Sequence, residues 1–271
     1  MAKTAVTRGI LITAILSVFS VQSAAEDGAI DASDPTKVYT YAGGGLKYTD
    51  YTNDDQMYEV RATGNWGVTS SDMVLFEFGY GWHQGEISRG TQDENDLTNA
   101  RIRYFHLFPM DYSVARGYRG MAAQVDLQLA GNLIGTDGQN MITFGALPAY
   151  GVSERWSFYL PINLPLSWDK KFENFNGTGI GLAPLLVYTP DWWPGSYVQI
   201  WPAYNYFFQG ELSDVGSGNF DVTLGGSITE RIVWSITGQK QLDEDLGSFR
   251  RGRDTGVQND WNVFANVSMY F

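Results

Sequence analysis

The chain has 271 residues, 44% of them apolar, 15% aromatic and 31 of them glycine, a composition that suits one large domain or two modest ones. Cysteine is absent, which excludes a disulfide framework, a thiolate metal site and a Cys nucleophile. With 18 Lys+Arg against 30 Asp+Glu the net charge is -12, the wrong sign for a phosphate-binding surface, so nucleic acid is a poor partner.

In chain order, the first element reads as a secretory signal peptide over residues 1–25. Lys3 and Arg8 precede an apolar run from Ile10 to Val21, and the small residues of QSAA follow. Cleavage is expected after Ala25, with Ala24 the alternative; the run is shorter than the roughly 20 residues a spanning helix needs. Removal of 1–25 takes two bases and no acid, leaving 16 bases against 30 acids, or -14. Residues 26–36 (EDGAIDASDPT) read as a flexible N-terminal lead. From residue 37 to 271, segments of about ten residues with period-two alternation follow one another, and helical periodicity is nearly absent. They fall near 37–50, 57–68, 73–86, 98–108, 119–131, 141–152, 156–169, 180–189, 197–210, 219–229, 232–243 and 261–271.

The connections sort by length. Those after odd-numbered segments are mostly long, polar and rich in Gly, Asp and Asn, ending in EDLGSFRRGRDTGVQND; those after even-numbered ones, such as SSD (70–72), SER (153–155) and ER (230–231), are mostly short. Short turns at one end, long loops at the other and an even strand number predict an all-β, antiparallel, up-and-down transmembrane β-barrel of about 12 strands, with both termini in the periplasm. Strand faces agree: 73–86 places Val74, Phe76, Phe78, Tyr80 and Trp82 on one side and Glu77, Gly79, Gly81 and His83 on the other. Trp156 and Trp168 close the apolar stripe of 156–169 and, with Trp261, are expected at the bilayer interfaces as girdle residues.

Signal peptide, sustained alternation and the closing segment WNVFANVSMYF together resemble the bacterial outer-membrane β-barrel proteins of the small channel or uptake-porin type. The resemblance covers the whole mature chain in pattern. It implies a bacterial outer-membrane location, contact with outer-membrane lipid and lipopolysaccharide, a small-molecule solute, and recognition of Phe271 as the assembly signal by the barrel-assembly machinery.

The inward candidates of the first five strands are Lys47, Glu59, Arg61, Glu77, His83, Arg101, Arg103, Asp126 and Gln128; those of strands 6–9 are mostly neutral: Thr143, Ser157, Tyr159, Asn163, Gln199, Asn205 and Gln209. Charge is therefore expected along one wall. Either it sets a transverse field across an aqueous pore that passes small solutes, or it forms a paired network that plugs a narrow barrel; twelve strands lie between filled and open sizes. Pro148, Pro161, Pro165, Pro184 and Pro202 cluster in strands 6–9 and predict bulges, weakened pairing or a lateral gap there. Arg250, Arg251 and Arg253 in the last loop are candidates for a constriction or for lipopolysaccharide phosphate contact.

Catalysis lacks its residues. His83 and His106 are the only histidines, neither sits in a catalytic motif, and metal-ligand spacing is missing, so neither enzyme, metal nor cofactor is expected. The expected function is a passive outer-membrane channel. A plugged structural or adhesive barrel, and a lipid-acting hydrolase, are the alternatives.

Overall fold

The computed structural model describes residues 30–52, 55–84, 95–131, 139–242, 249–250, 253–254 and 259–271; residues 1–25, expected from the sequence to be a signal peptide, lie outside them. Twelve strands close into one antiparallel barrel. They are β1 (Tyr41–Tyr51), β2 (Gln56–Gly67), β3 (Asp72–Gln84), β4 (Asn95–Leu107), β5 (Gly117–Leu129), β6 (Asn140–Gly151), β7 (Trp156–Tyr159 and Ile162–Trp168), β8 (Phe175–Leu182 and Leu185–Tyr188), β9 (Ser196–Gly210), β10 (Gly216–Ser227), β11 (Ile232–Gln241) and β12 (Asn259–Tyr270). Each strand pairs with its sequence neighbours. β12 closes the ring on β1, from Tyr41 opposite Tyr270 to Tyr51 opposite Asn259.

Closure leaves no unpaired edge, and period two then decides what each face meets. The outward side chains are apolar and exposed, among them Leu46, Val60, Phe78, Ile102, Phe144 and Val222. The inward ones include Glu59, Asp126, Gln124, Asn262 and Ser268, all buried. An apolar belt around a polar interior is the inverse of a soluble barrel and matches a hydrocarbon environment.

The short connections 68–71, 108–116, 152–155, 189–195 and 228–231 lie at the end that holds both termini, here the terminal mouth. The opposite end, where β1 meets β2 and β11 meets β12, is the far mouth. Trp156 stacks on Tyr188 (centroids 4.5 Å apart) at the terminal end. Trp168 lies 5.5 Å from Phe175, and Trp261 5.2 Å from Tyr48, at the far end. Phe271 donates its backbone N–H to Thr40 O at the terminal mouth (3.0 Å).

Two expected strands are each found in two pieces. β7 breaks at residues 160–161 and β8 at 183–184, at Pro161 and Pro184, because proline offers no N–H to a ladder. Between the pieces Leu160 N–H bonds Pro148 O and Ala183 N–H bonds Pro161 O, both at 3.0 Å. A bulge after Phe207 shifts the register of β9, and Gln209, expected inside, is exposed while Phe207 is buried.

Candidate functional site

The lumen is layered from the terminal mouth inward, and the first layer is the chain's own lead. Residues 30–40 precede β1 and fold into the mouth. Asp31 and Asp34 each turn the backbone by accepting from the residue two positions on: Ser33 N–H at 3.2 Å and Thr36 N–H at 2.8 Å. Lys37 Nζ reaches back to Asp31 Oδ2 at 2.9 Å, and Asp31 N–H donates to Tyr39 OH at 3.0 Å. Two distant strands and turns hold the segment: Gln199 Nε2 donates to Ser33 O (3.0 Å) and Tyr112 OH to Thr36 O (2.8 Å). Burial pushes the Asp31 carboxyl up, but the Ser33 and Lys37 donors outweigh it and hold the group below its ordinary value.

This lead seals apolar surface. Val38 packs on a cluster that includes Met73, Phe105, Leu147, Tyr159 and Leu185, while Ile30, Ala32 and Tyr39 pack on Tyr197, Val233 and Tyr270. The inner wall is apolar under Val38, Ile30, Ala32 and Tyr39, while Gln199 meets the lead through its amide.

The second layer is a belt of charge built by strand register. Lys47 stands opposite Glu59, Glu77 opposite Arg101, and Arg103 opposite Asp126, so opposite charges face one another directly across each ladder. Arg61 pairs with Glu59 and, at 3.3 Å, with Glu77. Arg101 grips Asp126 with Nε (2.9 and 3.1 Å) and Nη2; Arg103 Nε lies 3.3 Å from the same carboxylate. Gly79 makes room for this belt, since a Cβ there would collide with Glu59 Oε1 and Thr98 Oγ1. On the other side of the lumen Asp221 accepts from Asn219 Nδ2 (2.6 Å) and Gln239 Nε2 (2.9 Å).

Two cavities meet at that belt. The larger, about 580 Å³, runs from the lead to the belt. The smaller, about 270 Å³, lies toward the far mouth among Thr49, Asn99, Gln139, Ser167 and Ser217. Lys47, Arg61, Glu77 and Arg101 line both, Arg103 and Asp126 only the larger, and Glu59 only the smaller. His83 lines neither: it is buried beside Tyr51, with Nε2 3.8 Å from Asp55 Oδ2. Arg250 and Arg253 are backbone partners in a ribbon of two residues per strand, and Arg251 lies outside the described residues. Sequence reading missed the lead's docking and also Asp221, Trp201 and Phe264, which line the larger cavity. The parity that picked out Glu77 on β3 also points Asp221 inward between Phe220 and Val222.

His106 is on the outer face, where its Nδ1 lies 2.8 Å from Asp72 Oδ1 and Tyr104 OH donates to the same carboxylate. Among the described residues no cluster of three or more His, Asp or Glu could hold a metal ion.

Closed barrel, apolar belt and layered polar lumen define the class: the chain has the fold of the outer-membrane porin and channel barrels. The similar solved structures include an outer membrane channel from Pseudomonas putida F1, at 14% identity and a TM-score of 0.58 over 89% of this chain and 100% of that one. A KdgM porin in complex with disordered oligogalacturonate matches at 10% identity and 0.52 (84% and 99%), and a NanC porin at 9% and 0.52 (86% and 99%). No family model and no curated protein matches the sequence.

Proposed function

We propose that the chain is a passive channel for small solutes in the bacterial outer membrane, reached after removal of residues 1–25, with its terminal mouth in the periplasm. The observation that carries this reading is the pair of cavities in series, which meet where Lys47, Arg61, Glu77 and Arg101 line both. A barrel meant only to be filled would have side chains where those cavities lie. The neighbouring folds lend support, since one is a channel and two are porins. In this reading the belt is the selectivity layer, and its fixed opposite charges orient dipolar solutes as they pass.

One observation favours a second reading, a barrel closed at rest. Residues 30–40 occupy the terminal mouth and anchor to Gln199 and Tyr112. Lipopolysaccharide contact through Arg250, Arg251 and Arg253, and assembly through Phe271, belong to either reading. Single-channel recording in planar bilayers separates them. The channel reading expects discrete conductance steps from the mature chain, and larger ones from a variant lacking residues 30–40. Steps from the truncated variant alone would establish the closed barrel, and a correctly folded pair that are both silent would overturn the channel.

A further inference from the structure

The larger cavity is amphipathic in a specific way. At its terminal side, below the belt, Phe105, Leu147 and Leu185 form one apolar patch and Trp201 packs against it. The Trp201 indole N–H is already satisfied: it donates to Ala183 O (3.0 Å), a carbonyl at the break in β8. Its ring is thus presented to the cavity as apolar wall. Just above sits Arg103, which lines this cavity and not the other.

Arg103 shares its carboxylate with a better-placed neighbour. Lys37 is held by Asp31, Arg61 by Glu59 and Glu77, and Arg101 takes both oxygens of Asp126. Arg103 is left to share Asp126, and its Nε makes no hydrogen bond among the described residues although the side chain is only 14% exposed. Its guanidinium carbon lies 5.8 Å from the centre of the Phe105 ring. A buried guanidinium nitrogen without a hydrogen bond is costly, and a planar carboxylate is the group whose two oxygens match the guanidinium fork.

We propose that this cavity is a binding site for a small amphipathic carboxylate, its charged group on Arg103 and its apolar body against Phe105, Leu147, Leu185 and Trp201. This deepens the channel reading and, as a statement about transport, rests on it: the site names the solute class that pauses between belt and lead. The guanidinium selects an anion, and the apolar patch selects a body of several carbons over acetate. A cavity of about 580 Å³ admits such a molecule whole.

The test uses the mature chain with four probes: hexanoate, acetate, hexylammonium and 1-hexanol. Isothermal titration in micelles should show saturable binding of hexanoate and little of the others. Arg103→Gln should weaken hexanoate roughly tenfold, the loss expected for a charge-assisted hydrogen bond. Trp201→Ala, which leaves the ion pairs intact, should weaken hexanoate and leave acetate unchanged; it keeps the proposal testable where the Arg103 variant fails to fold, as judged by heat-modifiable gel mobility. Equal binding of 1-hexanol and hexanoate, or hexanoate binding unaffected by both substitutions, would overturn the site. In planar bilayers hexanoate should reduce the current through the conducting barrel; a silent barrel that still binds hexanoate through Arg103 removes the transport reading and leaves the site standing, whereas a conducting barrel that binds none does the reverse.

Discussion

The two walls of the barrel are built by different rules. From β1 to β5 the ladders are long, broken only by a register slip at Gly79/Tyr80 and local irregularities at the ends, and the inward face carries Lys47, Glu59, Arg61, Glu77, Arg101, Arg103 and Asp126. Across the lumen, β7 and β8 are each split at a proline and turn Tyr159, Pro161, Ala183, Leu185 and Val187 inward. Ion pairs are directional and depend on register, because a slip of one residue sends a buried charge to the lipid side. Apolar packing is not directional, so a wall that contributes only contact area tolerates a missing ladder bond. Regularity is concentrated where charge is buried, and irregularity where it is absent.

The largest test of that contrast is to remove the shared acceptor. Asp126→Ala strands Arg101 and Arg103 in the lumen and should cost about 3–5 kcal/mol, the penalty for an uncompensated buried charge. Asn163→Ala, which deletes the acceptor of the 2.6 Å bond from Gln124 Nε2, should cost about 1 kcal/mol. Denaturant unfolding in micelles, followed by tryptophan fluorescence, reads both; equal losses would erase the distinction between the walls. Next in size comes Pro161→Ala at the break in β7. The backbone there already forgoes its ladder bond, so the change should cost about 1 kcal/mol, chiefly through added freedom in the unfolded chain. A loss as large as that of Asp126→Ala would mean that the break, and not the charge, is the stringently built feature.

The barrel itself was legible because alternation survives along the whole chain and the connections sort by length. The final strand, expected over 261–271, is Asn259–Tyr270. The belt was legible as a list and not as a set of pairs: parity places Glu77 and Arg101 inside, but only register sets them opposite each other. Pro161 and Pro184 foretold the interrupted pairing, since a missing donor is a property of the residue itself. The docked lead was illegible, because EDGAIDASDPT carries polar turn chemistry that suits open solvent equally well. What fixes it comes from far along the chain: Gln199 and Tyr112 are 166 and 76 positions from the carbonyls they hold. Period two is local information and such anchors are not. The bulge at Phe207 misplaced Gln209 for the same reason, as one extra residue inverts parity without altering composition.

The smallest expected effect concerns the lead, which leans Val38 on the apolar cluster while Lys37 and Asp31 hold each other. The folded Asp31 carboxyl lies below its ordinary 3.8, despite burial that pushes it up, so its contribution is present above that value and fades as pH falls through the lowered one. Burial pushes Lys37 down, yet the bond to Asp31 leaves it above 10.5, so its contribution is complete below 10.5 and is lost as pH rises further. The lead should therefore stay docked between about pH 4 and 10.5 and loosen outside that window. Because both partners are part-exposed, the pair is worth under about 1 kcal/mol. At pH 7, Asp31→Asn should then raise the open probability of single channels by less than about fivefold, and that increase should vanish in a background lacking residues 30–40. An increase that persists in the truncated barrel would place the effect on the belt, and the gate would belong to the charged wall instead of to the lead.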